Sequence, residues 1–172
     1  MMRSGLRKFL LTAHVVCSVG WLGAVVAFLG LAVVGLTSPD SRLVRGTYLV
    51  MEPTARLVLV PLAFASLLTG IVQSLGTAWG LFRHYWVVFK LVIAVFATIV
   101  LLTYMGTFRA MAGVAADPAA DLDVVRNASP LLHAALALLV LLVATVLAVY
   151  KPAGPTPYGW RSQQERREAV QQ

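Results

Sequence analysis

The sequence contains a single cysteine, Cys17, in 172 residues. A disulfide framework needs paired thiols and a CxxC metal or redox motif needs two, so both are excluded. Charge is also scarce: charged residues make up 12% of the chain and hydrophobic residues 59%, with a mean hydropathy of +0.82. A water-soluble domain of that composition would lack the polar side chains to cover its apolar surface, so lipid has to be the solvent. Lysine occurs only at Lys8, Lys90 and Lys151. The preference for arginine, with abundant Ala, Val, Leu and Gly, fits a bacterial gene of high GC content. Although the net charge is +7, no basic stripe is interleaved with aromatics, so no nucleic-acid partner is expected.

Four apolar runs are present, at residues 9–36, 57–76, 86–104 and 131–150. Each is long enough to cross about 30 Å of hydrocarbon as a helix. The first exceeds a minimal span and is expected to tilt or project. Arg3, Arg7 and Lys8 before it resemble a signal-peptide n-region. The run is too long for one and lacks a small-residue cleavage site, so it reads as a retained helix. The expectation is an all-α polytopic membrane protein, a four-helix transmembrane bundle over residues 1–151. A proline-rich, charged cytoplasmic tail occupies 152–172, its proline-rich segment through Pro157 leading into a charged C-terminus that is expected to be mobile. Between the runs lie a linker at 37–56 holding Pro39 and Pro53, a tight turn at 80–85, and a loop at 106–130 carrying Asp117, Asp121 and Asp123.

Charge asymmetry gives the orientation. Arg3, Arg7, Lys8, Arg83, Lys151, Arg161, Arg166 and Arg167 fall on the side of the termini. On the other side Arg42, Arg45, Arg56, Arg109 and Arg126 are balanced by Asp40, Glu52, Asp117, Asp121 and Asp123. The positive-inside rule makes both termini cytoplasmic. Trp79, Tyr85, Trp86, Tyr104 and Tyr150 stand at run ends, where aromatic side chains anchor at headgroups. Small residues four apart, Gly20 with Ala24, Gly23 with Ala27, Ser66 with Gly70 and Ala144 with Ala148, mark expected helix contacts.

Polar groups inside the runs are the candidates for function, because hydrocarbon makes them costly. Lys90 lies roughly 6 Å and His14 roughly 8 Å below the terminal-side edge, at about 1.5 Å per residue. Helical spacing places His14, Cys17, Ser18 and Trp21 on one stripe and Trp86, Lys90, Ala94 and Thr98 on a second. Ser66, Thr69, Gly70 and Gln73 form a third, and the three are expected to meet in a pocket in the cytoplasmic leaflet. Against this stand plainer readings: snorkelling for Lys90, hydrogen-bonded packing for His14, apolar filling for Cys17 and helix-to-helix contact for Gln73. His84 sits in the short turn. His133 lies near the far end of the fourth run, too distant along the axis to share one haem iron with His14.

The stretch Leu11-Thr-Ala-His14-Val-Val-Cys-Ser-Val-Gly-Trp21-Leu-Gly23 resembles the H-x6-W-x-G pattern that opens a group of small bacterial four-helix membrane proteins. That group includes the CopD-type copper-resistance membrane domain and HemJ-type protoporphyrinogen oxidase. The Trp86 to Lys90 segment is similar to their third helix. Over nearly the whole chain, through Ser74 to Trp86 and Val149 to Gly159, the sequence resembles an uncharacterised bacterial membrane family. The HemJ-type resemblance implies a haem b site with His14 and Lys90 as binding residues, although residues 24–30 lack that family's proline-arginine segment and second histidine. The CopD-type resemblance implies copper at His14, with Cys17 beside it.

The leading expectation is therefore a haem-binding or redox-associated bundle in the bacterial inner membrane, with His14, Lys90, Trp21 and Gln73 at the cofactor and His14 as metal ligand. A small-solute or copper-ion permease, or its accessory subunit, is the first alternative. A structural or assembly subunit of a membrane complex, or a homo-oligomer, is the second.

Overall fold

The computed structural model describes residues 3–77, 80–152 and 154–171, and of the last helix only the backbone at 163, 165–167 and 169–171. Trp79 and the side chains of Arg166 and Arg167, counted above as an anchor and as charges, lie outside the described residues. In chain order the elements are α1 (Ser4–Thr37), α2 (Ser41–Thr54), a π-helical turn (Ala55–Leu59), α3 (Val60–Leu75), α4 (Tyr85–Ala116), a 3-10 turn (Leu122–Val124), α5 (Ser129–Tyr150) and α6 (Pro157–Gln171). Four helical stretches, Ser4–Thr37, Ser41–Leu75, Tyr85–Ala116 and Leu122–Tyr150, are long and apolar enough to cross a membrane.

The helices run further than the apolar runs, and the reason is packing beyond the hydrocarbon. Residues 41–54 read as linker because they are polar and contain Pro53. They hold a helical stripe, Val44, Thr47, Tyr48, Met51 and Ala55, and that stripe is buried. Asp40 starts the helix by accepting the Arg42 N–H at 2.9 Å. Pro53 and Pro61 offer no N–H to the preceding turns, and the intervening turn widens to π geometry, so α2 and α3 continue as one helical stretch. Likewise α4 passes Gly106 and reaches Ala116, because Phe108, Met111 and Ala115 bury against the α2 end of the bundle.

Those extensions form a capped end opposite the termini. The Tyr48 hydroxyl donates to Val125 O at 2.8 Å, and its ring lies over Gly35, where a Cβ would come within 3.1 Å of it. The Arg45 guanidinium donates to four carbonyls of the chain leaving α4, those of Ala115, Asp117, Pro118 and Ala120. It thereby satisfies the Ala115 carbonyl, which the helix end leaves without an intrahelical partner, and holds three carbonyls of the loop that follows.

Around the bundle α1 packs on α3 and α5, while α4 packs on α2, α3 and α5. This leaves α1 and α4 across the diagonal. They meet in the capped half, where Phe28 and Phe108 stack edge-to-face at 5.0 Å and Tyr104 joins Phe108 at 4.8 Å. The core runs from the cap as far as Trp21, Ser66, Thr98 and Leu141. Beyond that level, toward the termini, the buried positions among the described residues are Trp86, Val87, Thr156 and Gly159.

Some expected roles change. Trp86 is buried at 8% exposure and so is not a headgroup anchor, whereas Tyr85 and Tyr150 are exposed. Tyr104 turns inward, donating to Ser129 Oγ at 2.6 Å. Gly23 and Ala27 face outward, with nothing near a Cβ at Gly23, so that small pair makes no contact within the chain. Gly20 does meet Leu62.

The proline-rich start of the tail is held against the α3–α4 turn. Tyr85 N–H donates to Gly154 O at 3.2 Å and Thr156 N–H to Arg83 O at 2.9 Å, giving a bridge between His84 and Pro155. In that pattern positions 84 and 155 are the non-hydrogen-bonded pair, so a proline costs no ladder bond there.

Candidate functional site

The stripes on α1 and α3 meet side chain to side chain. His14 Nδ1 lies 3.1 Å from Ser66 O and 3.1 Å from Thr69 Oγ1. One turn deeper, the Ser18 and Ser66 hydroxyls are 2.8 Å apart. Gly70 supplies the seat for the ring: a Cβ there would sit 2.9 Å from His14 Cε1. The spacing that put His14 with Ser18, and Ser66 with Thr69 and Gly70, therefore describes a real contact face. An expected hydrogen-bonded histidine and an expected small-residue contact turn out to be the same feature.

The partners of His14 fix its tautomer. Ser66 O is a carbonyl and can only accept. Thr69 spends its one hydroxyl hydrogen on Ala65 O at 2.6 Å, so toward the imidazole it too is an acceptor. Nδ1 must then carry the hydrogen and donate, and in the neutral ring Nε2 keeps its lone pair. This is the arrangement found at metal-ligating histidines, where a hydrogen bond from the second nitrogen orients the ring and raises its basicity. A lone pair held in this way can bind a metal ion or accept a proton.

Lys90 lies diagonally across the bundle on α4. Its Nζ stands over the Trp86 ring, 5.7 Å from the centroid, one turn nearer the terminal edge. That is the direction in which helical side chains lean on an outgoing helix, and the aromatic face offsets part of the cost of the buried charge. Two carboxylates form ion pairs among the described residues, Glu52 with Arg56 and Asp123 with Arg126, and both belong to the capped half. The terminal half thus combines an available imidazole lone pair with a half-buried ammonium.

The other expected site residues are distributed differently. Trp21 is 3% exposed and belongs to the core, where it closes the floor of the terminal half. Gln73 is half-buried, one turn beyond Thr69 and Gly70 on the same stripe. Cys17 is a free, half-buried thiol on the His14 face. His84 precedes α4 in an extended conformation at the bridge to Pro155. His133 is in the capped half, where its Nδ1 donates to Ser129 O at 2.8 Å and its ring stacks on Tyr104 at 4.2 Å. Among the described residues no three His, Cys, Asp or Glu side chains gather as a metal site. The Gly70 seat and the Ser66 carbonyl were not expected as site elements. Both residues stood on the α3 stripe and in the small-residue pairing, but neither pattern showed that Gly70 would make room for the ring or that the Ser66 carbonyl, not its side chain, would hold it.

No family model matches the chain, and neither a curated protein nor a solved structure shows significant similarity to it. The class is therefore carried by the fold: an all-helical bundle with four helices long and apolar enough to span a membrane, as a multi-pass membrane protein requires.

Proposed function

We propose that the chain is a multi-pass protein of the bacterial cell membrane, with both termini in the cytoplasm, whose terminal-side half would hold a b-type haem through His14. The single observation behind this reading is the Nδ1 hydrogen bonding of His14, which leaves the Nε2 lone pair available to a ligand. The residues fit the group in two respects. An imidazole nitrogen is a common axial ligand of haem iron, and Lys90, across the diagonal, suits the carboxylates at a porphyrin's edge. Haem held there supplies one-electron redox chemistry.

The chain's own residues would do the rest. Ser66 and Thr69 hold the imidazole against rotation, and Gly70 lets it approach α3. Trp86 supports the ammonium of Lys90, and Trp21 closes the site toward the core. Orientation is supported by the basic residues at the terminal end against the balanced charges of the cap.

The test is an optical spectrum of protein purified from haem-replete cells, with the haem-to-chain ratio measured. A Soret band at about one haem per chain, lost in His14→Ala and weakened in Lys90→Gln, is the expected result. A colourless preparation, or a band that survives unchanged in His14→Ala, overturns the proposal.

A further inference from the structure

In the terminal half of the bundle few residues are buried, and backbone hydrogen bonds join the α3–α4 turn to the segment after α5. From Trp21, Ser66, Thr98 and Leu141 to the terminal edge, α1, α3 and α5 contribute no buried residue among those described. The segment after α5 ties the end of that helix to the start of α4. It crosses to the α3–α4 turn, where Tyr85 N–H donates to Gly154 O, Thr156 N–H donates to Arg83 O, and the Thr156 hydroxyl donates to Phe82 O at 2.6 Å.

The same Thr156 oxygen accepts the Gly159 N–H at 3.1 Å and so caps α6, joining the start of that helix to the turn. Gly159 presses on the turn so closely that a Cβ would fall 2.3 Å from Arg83 O, a backbone atom that cannot move aside. Thr156 is 8% exposed, and Trp86 and Val87, the buried residues of the first turn of α4, lie next in sequence to this contact. A hydroxyl used twice and a glycine with no room for a methyl group define a fitted joint. A tail resting by chance on a loop would tolerate either change.

We propose that residues 154–160 are a clasp that controls access to the terminal-side half of the bundle. Closed, it holds the start of α4 to the end of α5 and keeps the His14 face shut from the terminal side. Released, it lets α4 and α5 part at that end, because α5 buries no described residue there to resist it, while the capped half stays packed. The ligand it admits is a flat apolar molecule with an acidic edge, which rests on the haem reading above. The clasp itself does not depend on that reading.

Cys17 is a built-in reporter, since it is the sole thiol and lies on the stripe that carries His14 and Ser18. The experiment measures alkylation of Cys17 by a membrane-impermeant maleimide applied from the terminal side to the full chain in vesicles. It compares the wild type with Thr156→Val, which removes both hydroxyl bonds, and Gly159→Ala, which cannot fit. Both variants are expected to react about tenfold faster. Hydrogen exchange should rise in residues 82–90 and 147–160 and stay unchanged in α2 and residues 117–128. Equal alkylation rates in all three proteins overturn the proposal, and so does a rise in exchange throughout the chain, which would make the clasp part of the global fold. A haem-free protein in which the rates still separate counts against the haem reading and leaves the clasp standing.

Discussion

Replacing Gly70 with alanine tests the placement of His14 without touching the histidine. The new Cβ would lie 2.9 Å from Cε1, where ordinary contact begins at 3.4 Å, so the ring must retreat by about 0.5 Å. A ring displaced by that amount no longer sits at its present 3.1 Å distances from Ser66 O and Thr69 Oγ1, and its hydrogen bonding at Nδ1 is weakened or lost. The direct loss is about 0.5–1.5 kcal/mol, and losing an outer partner of a ligating histidine lowers ligand affinity about 10- to 100-fold. Titration of the purified haem-free protein with hemin, followed at the Soret band, is expected to show haem affinity weaker by at least about tenfold in Gly70→Ala. Gly23→Ala, at an outward position with nothing near its Cβ, is the control and is expected to bind as the wild type does. If Gly70→Ala binds haem as tightly as Gly23→Ala, the reasoning about the seat is wrong.

Other consequences concern stability and packing. Arg45→Ala removes a guanidinium shared by four carbonyls and is expected to destabilise the protein by about 2–3 kcal/mol, read as a lower unfolding temperature in detergent. Arg45→Lys keeps the charge but not the fork, and should recover less than half of that loss. A double-mutant cycle with Ser18→Ala and Ser66→Ala should give a coupling of about 0.6 kcal/mol, the usual size for a hydrogen bond between membrane helices, with zero coupling excluding the contact.

The parts of this structure that were readable in the sequence are those where a side-chain pattern causes the geometry. Length and apolarity of the four runs determine the spanning helices. The facing of α1 and α3 follows from polar and small residues at helical spacing, and it holds at His14, Ser18, Ser66, Thr69 and Gly70. Residues 41–54 were harder to read, because Pro53 and the charged residues draw the eye from a buried stripe that needs α4 to exist. Arg45 and the clasp were out of reach for a different reason. Their partners are backbone carbonyls and N–H groups, which every residue carries and no sequence pattern marks. Trp86 looked like an interfacial anchor by its place at the end of a run, yet it is buried beside the residues that the clasp holds.

The central claim is that Ser66 and Thr69 keep the hydrogen of His14 on Nδ1 and leave Nε2 free to take a ligand. Nitrogen-15 spectra of the histidine rings, with His14 assigned by substitution, measure this directly. The account predicts a protonated Nδ1 and an unprotonated Nε2 for His14 in the haem-free protein at neutral pH, with the Nε2 signal shifting when haem is added. A hydrogen found on Nε2, or a ring exchanging rapidly between the two tautomers, would contradict it.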